Sequence, residues 1–540
     1  MLSILLFVMS MWVAQSPHDR ADQPAAAMLL PGLGHLHHPI ATTSPEAQQF
    51  FDQGLTLVYG FNHDEAIKAF RRAAELDPAS PMPHWGIALA LGPNINLDVD
   101  PEREKAAFEE AQRARTVAAR APANERAYVE ALAKRYSNDP KADLKALAVQ
   151  FKDAMRDLSR QYPDDLDSAT LYAESLMDLR PWQLWSNAGA PAEGTEEIVA
   201  VLESVLRRDP MHVGANHYYI HAVEASPTPE RALVSASRLE TLVPAAGHLV
   251  HMPAHIYMRT GDYAAAVTSN ARAAQVDRDY IARTGADGVY PLMYYSHNID
   301  FLASAAMMTG QFAEASRAAD EIVVKATAAI AQMPMIEPFA AKKLYVLLRF
   351  ARWSELLALS RPDPQHKILT ALWHFSRGVA HAALHHTTEA ERERAAYVEA
   401  RGAVPSDTPF NYNSAGAIFR IADAVLDARI AGAKQDYQAA VAAWARAVAA
   451  EDALNYDEPP DWFYPVRESH GAALLRIGRF EEGERVFRAD LDRNPRNPRS
   501  LFGLMQALKA QKKDSAAAIV EKQYEAAWQR ADVPLRLTDF

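Results

Sequence analysis

The chain has 540 residues, with 56 Lys and Arg against 68 Asp and Glu, a formal net charge of −12. That acidic balance argues against a general nucleic-acid binder, which needs a basic face to displace counterions. There is no cysteine, which excludes disulfides, thiolate zinc sites and thiol catalysis together.

Leu2 to Val13 is apolar apart from Ser3 and Ser10. It is shorter than the roughly 20 residues of a spanning helix. With small Ala14 behind it, it reads as the centre of a secretory signal peptide, although no Lys or Arg precedes it. We therefore expect a leader over 1–27, a periplasmic or secreted protein and no integral membrane span. The alternative is a cytoplasmic chain with a buried N-terminal helix. Residues 28–46 carry His35, His37 and His38, a short tract that can bind metal but reads better as a solvated leader.

From Phe50 onward almost no strand signal remains. Ala-rich helical stretches are broken by Asp-Pro, Gly-Asp and Gly-Arg pairs. Small Gly54, Ala66 and Ala73 let two helices approach, Phe50, Leu57 and Phe70 fill the space between, and Pro78 ends the second helix. The pattern returns around Gly261-Asp262-Tyr263, Gly310-Gln311-Phe312 and Gly478-Arg479-Phe480. It resembles the tetratricopeptide repeat (TPR), a helix-turn-helix unit of about 34 residues. The resemblance implies an all-α, TPR-like helix-turn-helix solenoid, stacked into a right-handed superhelix with a concave groove. Units are expected over 47–120, 211–330 and 331–540. Residues 121–210 keep helical character without the spacing and include a loop, Pro181 to Gly194, that reads as a lid with Trp182 and Trp185. Residues 92–101 are an inserted loop; its Asn94, Asn96, Asp98 and Asp100 alternate like a calcium loop but lack the glycine and terminal glutamate, so they read as a surface turn. The aromatic, acidic stretch Tyr456–Tyr464 reads as a loop packed on the next unit, with Glu468 at a groove-facing place.

In this family the groove is lined by the second, fifth, ninth, twelfth and thirteenth places of each unit's first helix, so the resemblance assigns groove residues here. Frames starting at Val213, Gly247 and Ser296 place His217, His221, His248, His251, His255 and His297 there. Six of fifteen such places are His, where 19 His in 540 residues would give about half of one. The pairs 217/221 and 251/255 are four apart and point one way on a helix, so each can chelate an ion. Pro253 either kinks its helix or starts it; in the second case the 251/255 pair argument fails.

Imidazole suits transition metals, and nearby Met258, Met307 and Met308 would tilt the choice toward copper. The expected cofactor is thus a copper or zinc ion, with Glu224, Asp300 and Arg259 as further ligands or second shell. Two other readings stand beside this one: a groove for a peptide or protein partner, the usual role of a TPR scaffold, and a structural polar network. No phosphate-binding loop, G-x-S-x-G or H-E-x-x-H occurs, so whether the protein is an enzyme stays open and no catalytic residue is assigned.

Overall fold

The structure is a computed structural model that describes residues 27–540; the signal-peptide reading of Leu2–Val13 lies outside them. From Pro45 to Ala527 helix follows helix in antiparallel pairs. The first pair, Pro45–Tyr59 and His63–Leu76, shows why these residues stack. Ser44 caps the first helix by accepting from the Ala47 N–H. The Phe70 ring then fills the crossing between Gly54 and Gly86, where an added Cβ would lie 2.5 and 2.6 Å from it. Phe487 sits in the same way between Gly471 and Gly503, near the other end of the array. Small residues at a crossing let helix axes close up, and one large ring seals the gap.

The turns expected at Gly261, Gly310 and Gly478 are left-handed, with φ of 79°, 75° and 77°. Val213–Val223 and a helix opening at Gly247 begin where the frames put them, and Tyr295–Thr309 begins one residue ahead of Ser296, continuing a π-helical turn from Tyr290. Pro253 does interrupt the second, which runs Gly247–His251, breaks at Met252 and resumes as Pro253–Thr260. Met252 keeps right-handed helical angles, φ −50° and ψ −35°. The break therefore kinks the helix without ending its direction. The irregular region holds the helices Ala123–Leu132, Leu144–Gln161 and Leu166–Met177. A loop follows, with one bridge between Trp185 and Pro191. Among the described residues the paired strands are Pro409–Phe410 and Asn413–Ser414, a two-stranded hairpin.

The superhelix turns back on itself. Trp182 stacks on Tyr412 with centroids 4.7 Å apart, and Asn187 Nδ2 donates to the Leu454 carbonyl at 2.8 Å. Tyr263 Oη donates to the Pro495 carbonyl at 3.1 Å. These contacts, more than 200 residues apart in sequence, close the concave wall over its centre.

The N-terminal tract departs from the solvated leader expected of it. Gln53 accepts from Leu30 N and donates to Met28 O, at 2.7 and 2.9 Å. His38 is buried, with Nδ1 2.8 Å from Asp167 Oδ2. Asp167 also takes Tyr59 Oη at 2.6 Å and His212 Nε2 at 3.2 Å. A carboxylate surrounded by three such donors is held well below its usual range despite its burial. It anchors the tract. Among the described residues no helix is long and apolar enough to cross a membrane.

Candidate functional site: two histidine triads

The three first helices bring all six groove histidines together. His217, His221 and His248 form one triad, and His251, His255 and His297 a second; within each, one ligand atom per residue lies within 4.8 Å of the others. The triads adjoin, with ring centroids 5.6 Å apart for His221 and His255 and 5.7 Å for His248 and His251. All except His297 are 5% exposed or less. The 251/255 pair survives the kink at Met252.

Local sequence fixes the rings. A Cβ at Gly214 would lie 2.4 Å from the Tyr59 ring, so glycine there lets the first repeat touch the helix Val213–Val223. Across that contact His217 Nδ1 meets the Tyr59 carbonyl at 2.6 Å. His251 Nδ1 meets Asn270 Oδ1 at 2.6 Å, and Asn270 Nδ2 donates to Ala266 O at 2.8 Å, which orients the amide. Glu224 touches both triads: Oε1 accepts from His221 Nδ1 at 2.7 Å, and Oε2 stands 2.5 Å from His255 Nδ1 without hydrogen-bond alignment. Burial alone would raise the Glu224 carboxyl, but His255 and His221 outweigh it and hold it at about 2.

These partners settle the tautomers. A carbonyl or a carboxylate only accepts, so His217, His221 and His251 each carry their proton on Nδ1. Burial, with neighbouring imidazoles, drives His217, His248 and His251 well below the usual histidine value, and His297 to about 3. Their rings are neutral, and on the tautomer-fixed rings Nε2 is a bare lone pair. His251 Nε2 and His255 Nε2 nevertheless stand 2.8 Å apart, and His248 Nε2 and His217 Nε2 3.2 Å apart. His221 Nε2 is buried with no hydrogen-bond partner. Nitrogens about 2.0–2.1 Å from a shared tetrahedral ion stand roughly 3.3 Å apart, close to the His248–His217 spacing and wider than the His251–His255 one.

Apolar rings wall the triads. Phe61 lies 4.6 Å from His217 and 5.3 Å from His248, and Phe301 4.9 and 5.0 Å from His251 and His255. Phe301 follows His297 by four residues, so helical spacing pointed to it. Tyr59, Phe61 and Asn270 carried no such signal, because each arrives from another part of the chain: Tyr59 and Asn270 from other helices, Phe61 from the turn between the first two.

Two expected second-shell residues are placed differently. Asp300 is buried against Lys342 Nζ at 2.8 Å, not on a histidine. Arg259 Nε donates to the Glu224 backbone carbonyl at 2.9 Å, bracing the chain rather than the carboxylate. Nor does Met308 offer its sulfur to the triads: Sδ faces Arg349 Nη2 at 3.9 Å. The tilt toward copper loses that support.

Behind the first triad, Tyr290 Oη accepts from His248 N at 3.2 Å and donates to Asp277 Oδ1 at 2.9 Å. Gly247 makes room, since a Cβ there would fall 1.9 Å from Asp277 Oδ1. Burial pushes the Asp277 carboxyl up to about 7 from 3.8. The folded state therefore keeps a proton that the unfolded chain releases, and this contribution to stability is lost as pH rises from about 4 to about 7. Asp277→Asn removes the titration. Urea unfolding at pH 4.5 and pH 7 should show the wild type losing ground to the variant by about 1.4 kcal/mol per pH unit. Parallel pH profiles would contradict it.

The sequence profile of the tetratricopeptide repeat matches residues 47–80, the unit built on Gly54, Ala66 and Phe70. That unit carries the tetratricopeptide repeat, and further antiparallel helix pairs follow it to form a TPR-like solenoid. No curated protein matches it. Among solved structures it is similar to the human IFIT1 dimer with m7Gppp-AAAA, at 12% identity and a TM-score of 0.35, with 92% of each chain covered. It is also similar to yeast Tom70, at 12% identity and a TM-score of 0.27, over 90% of this chain and 95% of that one. The P58(IPK) TPR domain gives 11% identity and a TM-score of 0.22, over 87% and 99%.

Proposed function

We propose that this is an extracytoplasmic TPR protein that binds two transition-metal ions in its concave wall. His217, His221 and His248 hold one ion, and His251, His255 and His297 the other. The observation that carries the reading is the 2.8 Å approach of the His251 and His255 Nε2 atoms, the first left bare because Asn270 holds the His251 proton on Nδ1. A proton on one ring would relieve that pair alone and leave His221 Nε2 unmet. A cation in each triad answers every lone pair at once. An all-imidazole set without thiolate suits copper or zinc. Three protein nitrogens per ion is one fewer than a closed structural zinc site, and it is the count of catalytic ones, so the reading includes metal-dependent chemistry.

The repeat fold also supports a protein-binding role, the second reading. The burial of the triads argues for docking elsewhere than on them, since a peptide needs an open groove. The extracytoplasmic part rests on the apolar Leu2–Val13 run. Mass spectrometry of the mature protein should find an N-terminus beyond Ala14; an intact Met1 would contradict it.

Replacing His217 and His221 together by Ala tests the metal. Elemental analysis should find the first ion lost, while circular dichroism stays helical, because the larger hydrophobic cores remain. Unchanged metal would refute the assignment. Lost thermal stability with no metal in either protein would favour a polar network, in which stranded partners cost about 1–3 kcal/mol each.

A further inference from the structure

Asp167 lies outside both triads, near the start of the helix Leu166–Met177, yet its contacts lead to the first one. Tyr59 Oη donates to Asp167 Oδ1 at 2.6 Å. The Tyr59 ring lies against Gly214, and the Tyr59 carbonyl holds the His217 proton on Nδ1. A second path runs through His212, which caps the helix carrying His217 and His221: its Nδ1 accepts from Ala215 N at 3.2 Å. The proton of the neutral ring therefore sits on Nε2, 3.2 Å from Asp167 Oδ1.

The third contact comes from the N-terminal tract. His38 Nδ1 stands 2.8 Å from Asp167 Oδ2, and His38 N donates to Asp52 Oδ1 at 3.0 Å. The same tract reaches the other side of the triad. Gly32 O accepts from Ala245 N at 3.0 Å, and a Cβ on Gly34 would fall 2.8 Å from the Leu242 carbonyl. That turn leads straight into Gly247–His251, which carries His248. The tract thus spans both elements that supply the first triad. Among the described residues, the partners of Asp167 lie on neither of the helices that carry His255 and His297. His38, Asp165 and Asp167 stand close enough for a metal to bridge, but hydrogen bonds already occupy the carboxylates. Asp165 accepts from Tyr128 Oη at 2.7 Å and from Ser168 N at 3.1 Å.

We propose that Asp167 is a positioning residue of the first triad, and that the N-terminal tract, seated on it through His38, tunes the ion of that triad alone. Asp167 holds Tyr59 and His212, and they in turn hold the His217 ring and the start of its helix. Outer partners of this kind fix the aim of a ligand ring, and metal affinity follows the aim. The proposal rests on the metal reading.

The test uses the full chain loaded with zinc(II) and a chelator competition that resolves two steps of release. The step missing from the His217→Ala/His221→Ala protein belongs to the first triad. Asp167→Ala should weaken that step about 10-fold, as for a lost outer partner, and leave the other within about 2-fold. Asp167→Asn should recover most of the loss, because its amide oxygen still accepts from Tyr59. His38→Ala should weaken the same step about 3-fold, the worth of one hydrogen bond, with circular dichroism unchanged. Unchanged first-ion affinity in Asp167→Ala, or in His38→Ala if the former does not fold, would overturn the proposal and leave the metal reading standing. Both steps weakened alike would also overturn it, as a general loosening of the fold. A third ion in the wild type, lost in His38→Ala, would overturn it by making Asp167 a ligand. A wild type that takes up no zinc would overturn both readings.

Discussion

Replacing Glu224 by Gln is expected to weaken metal binding in both triads at once, by about 10- to 100-fold, the usual effect of losing a second-shell partner. One carboxylate accepts from His221 Nδ1, whose tautomer it sets, and stands 2.5 Å from His255 Nδ1, so it touches one ring in each triad. An amide has a single oxygen. An NH2 group turned toward His221 would confront its Nδ1–H, and that ring would have to move its proton to Nε2 and lose its lone pair. The carboxylate also supplies negative charge between two cations, and an amide supplies none. Competition with a chelator measures both steps of metal release. A loss confined to one triad, or none, would contradict the bridging role. Glu224 lies at 2% exposure among groups that do not form the main core, so the helices should remain folded.

The largest stability effect is expected far from the triads, at Glu468. Its carboxylate takes Arg349 through both guanidinium nitrogens, at 2.5 and 3.0 Å. It also takes Arg499 Nε at 3.0 Å and Asn497 Nδ2 at 2.8 Å. All four residues are buried. Burial would raise the Glu468 carboxyl, but Arg349 and then Arg499 hold it below its usual value. Arg349 ends the helix Lys342–Arg349, and Arg499 lies in Pro498–Ala510; the carboxylate thus ties the middle repeats to the last ones. Glu468→Ala leaves two guanidiniums without a counter-charge, a loss of about 3–5 kcal/mol. Urea unfolding followed by circular dichroism should show it, and a change below about 1 kcal/mol would contradict it.

How much of this was legible in the sequence depends on distance along the chain. The repeat is a local pattern: Gly54 and Phe70 lie in one hairpin, and Gly261 closes one turn, so helices, turns and groove faces could be read directly. The histidines followed, because i and i+4 on known frames define one face. The partners that fix their tautomers did not. Tyr59 meets His217 across 158 residues, and no spacing rule carries that far. Asp300 sits at a groove place by register, yet Lys342 from a later helix claims it. The closure of the groove was hidden for the same reason. Trp182 could be seen as part of a lid, but its stacking on Tyr412 depends on how far the superhelix turns, which is a sum over many crossings.

A count of ions tests the two-triad assignment most directly. Untagged protein, loaded with copper(II) or zinc(II) and dialysed against metal-free buffer, can be weighed by elemental analysis against its concentration. Two ions per chain are predicted, because two complete triads of imidazole lone pairs face inward. Protein that emerges metal-free would contradict the account and leave the six histidines as a buried polar network.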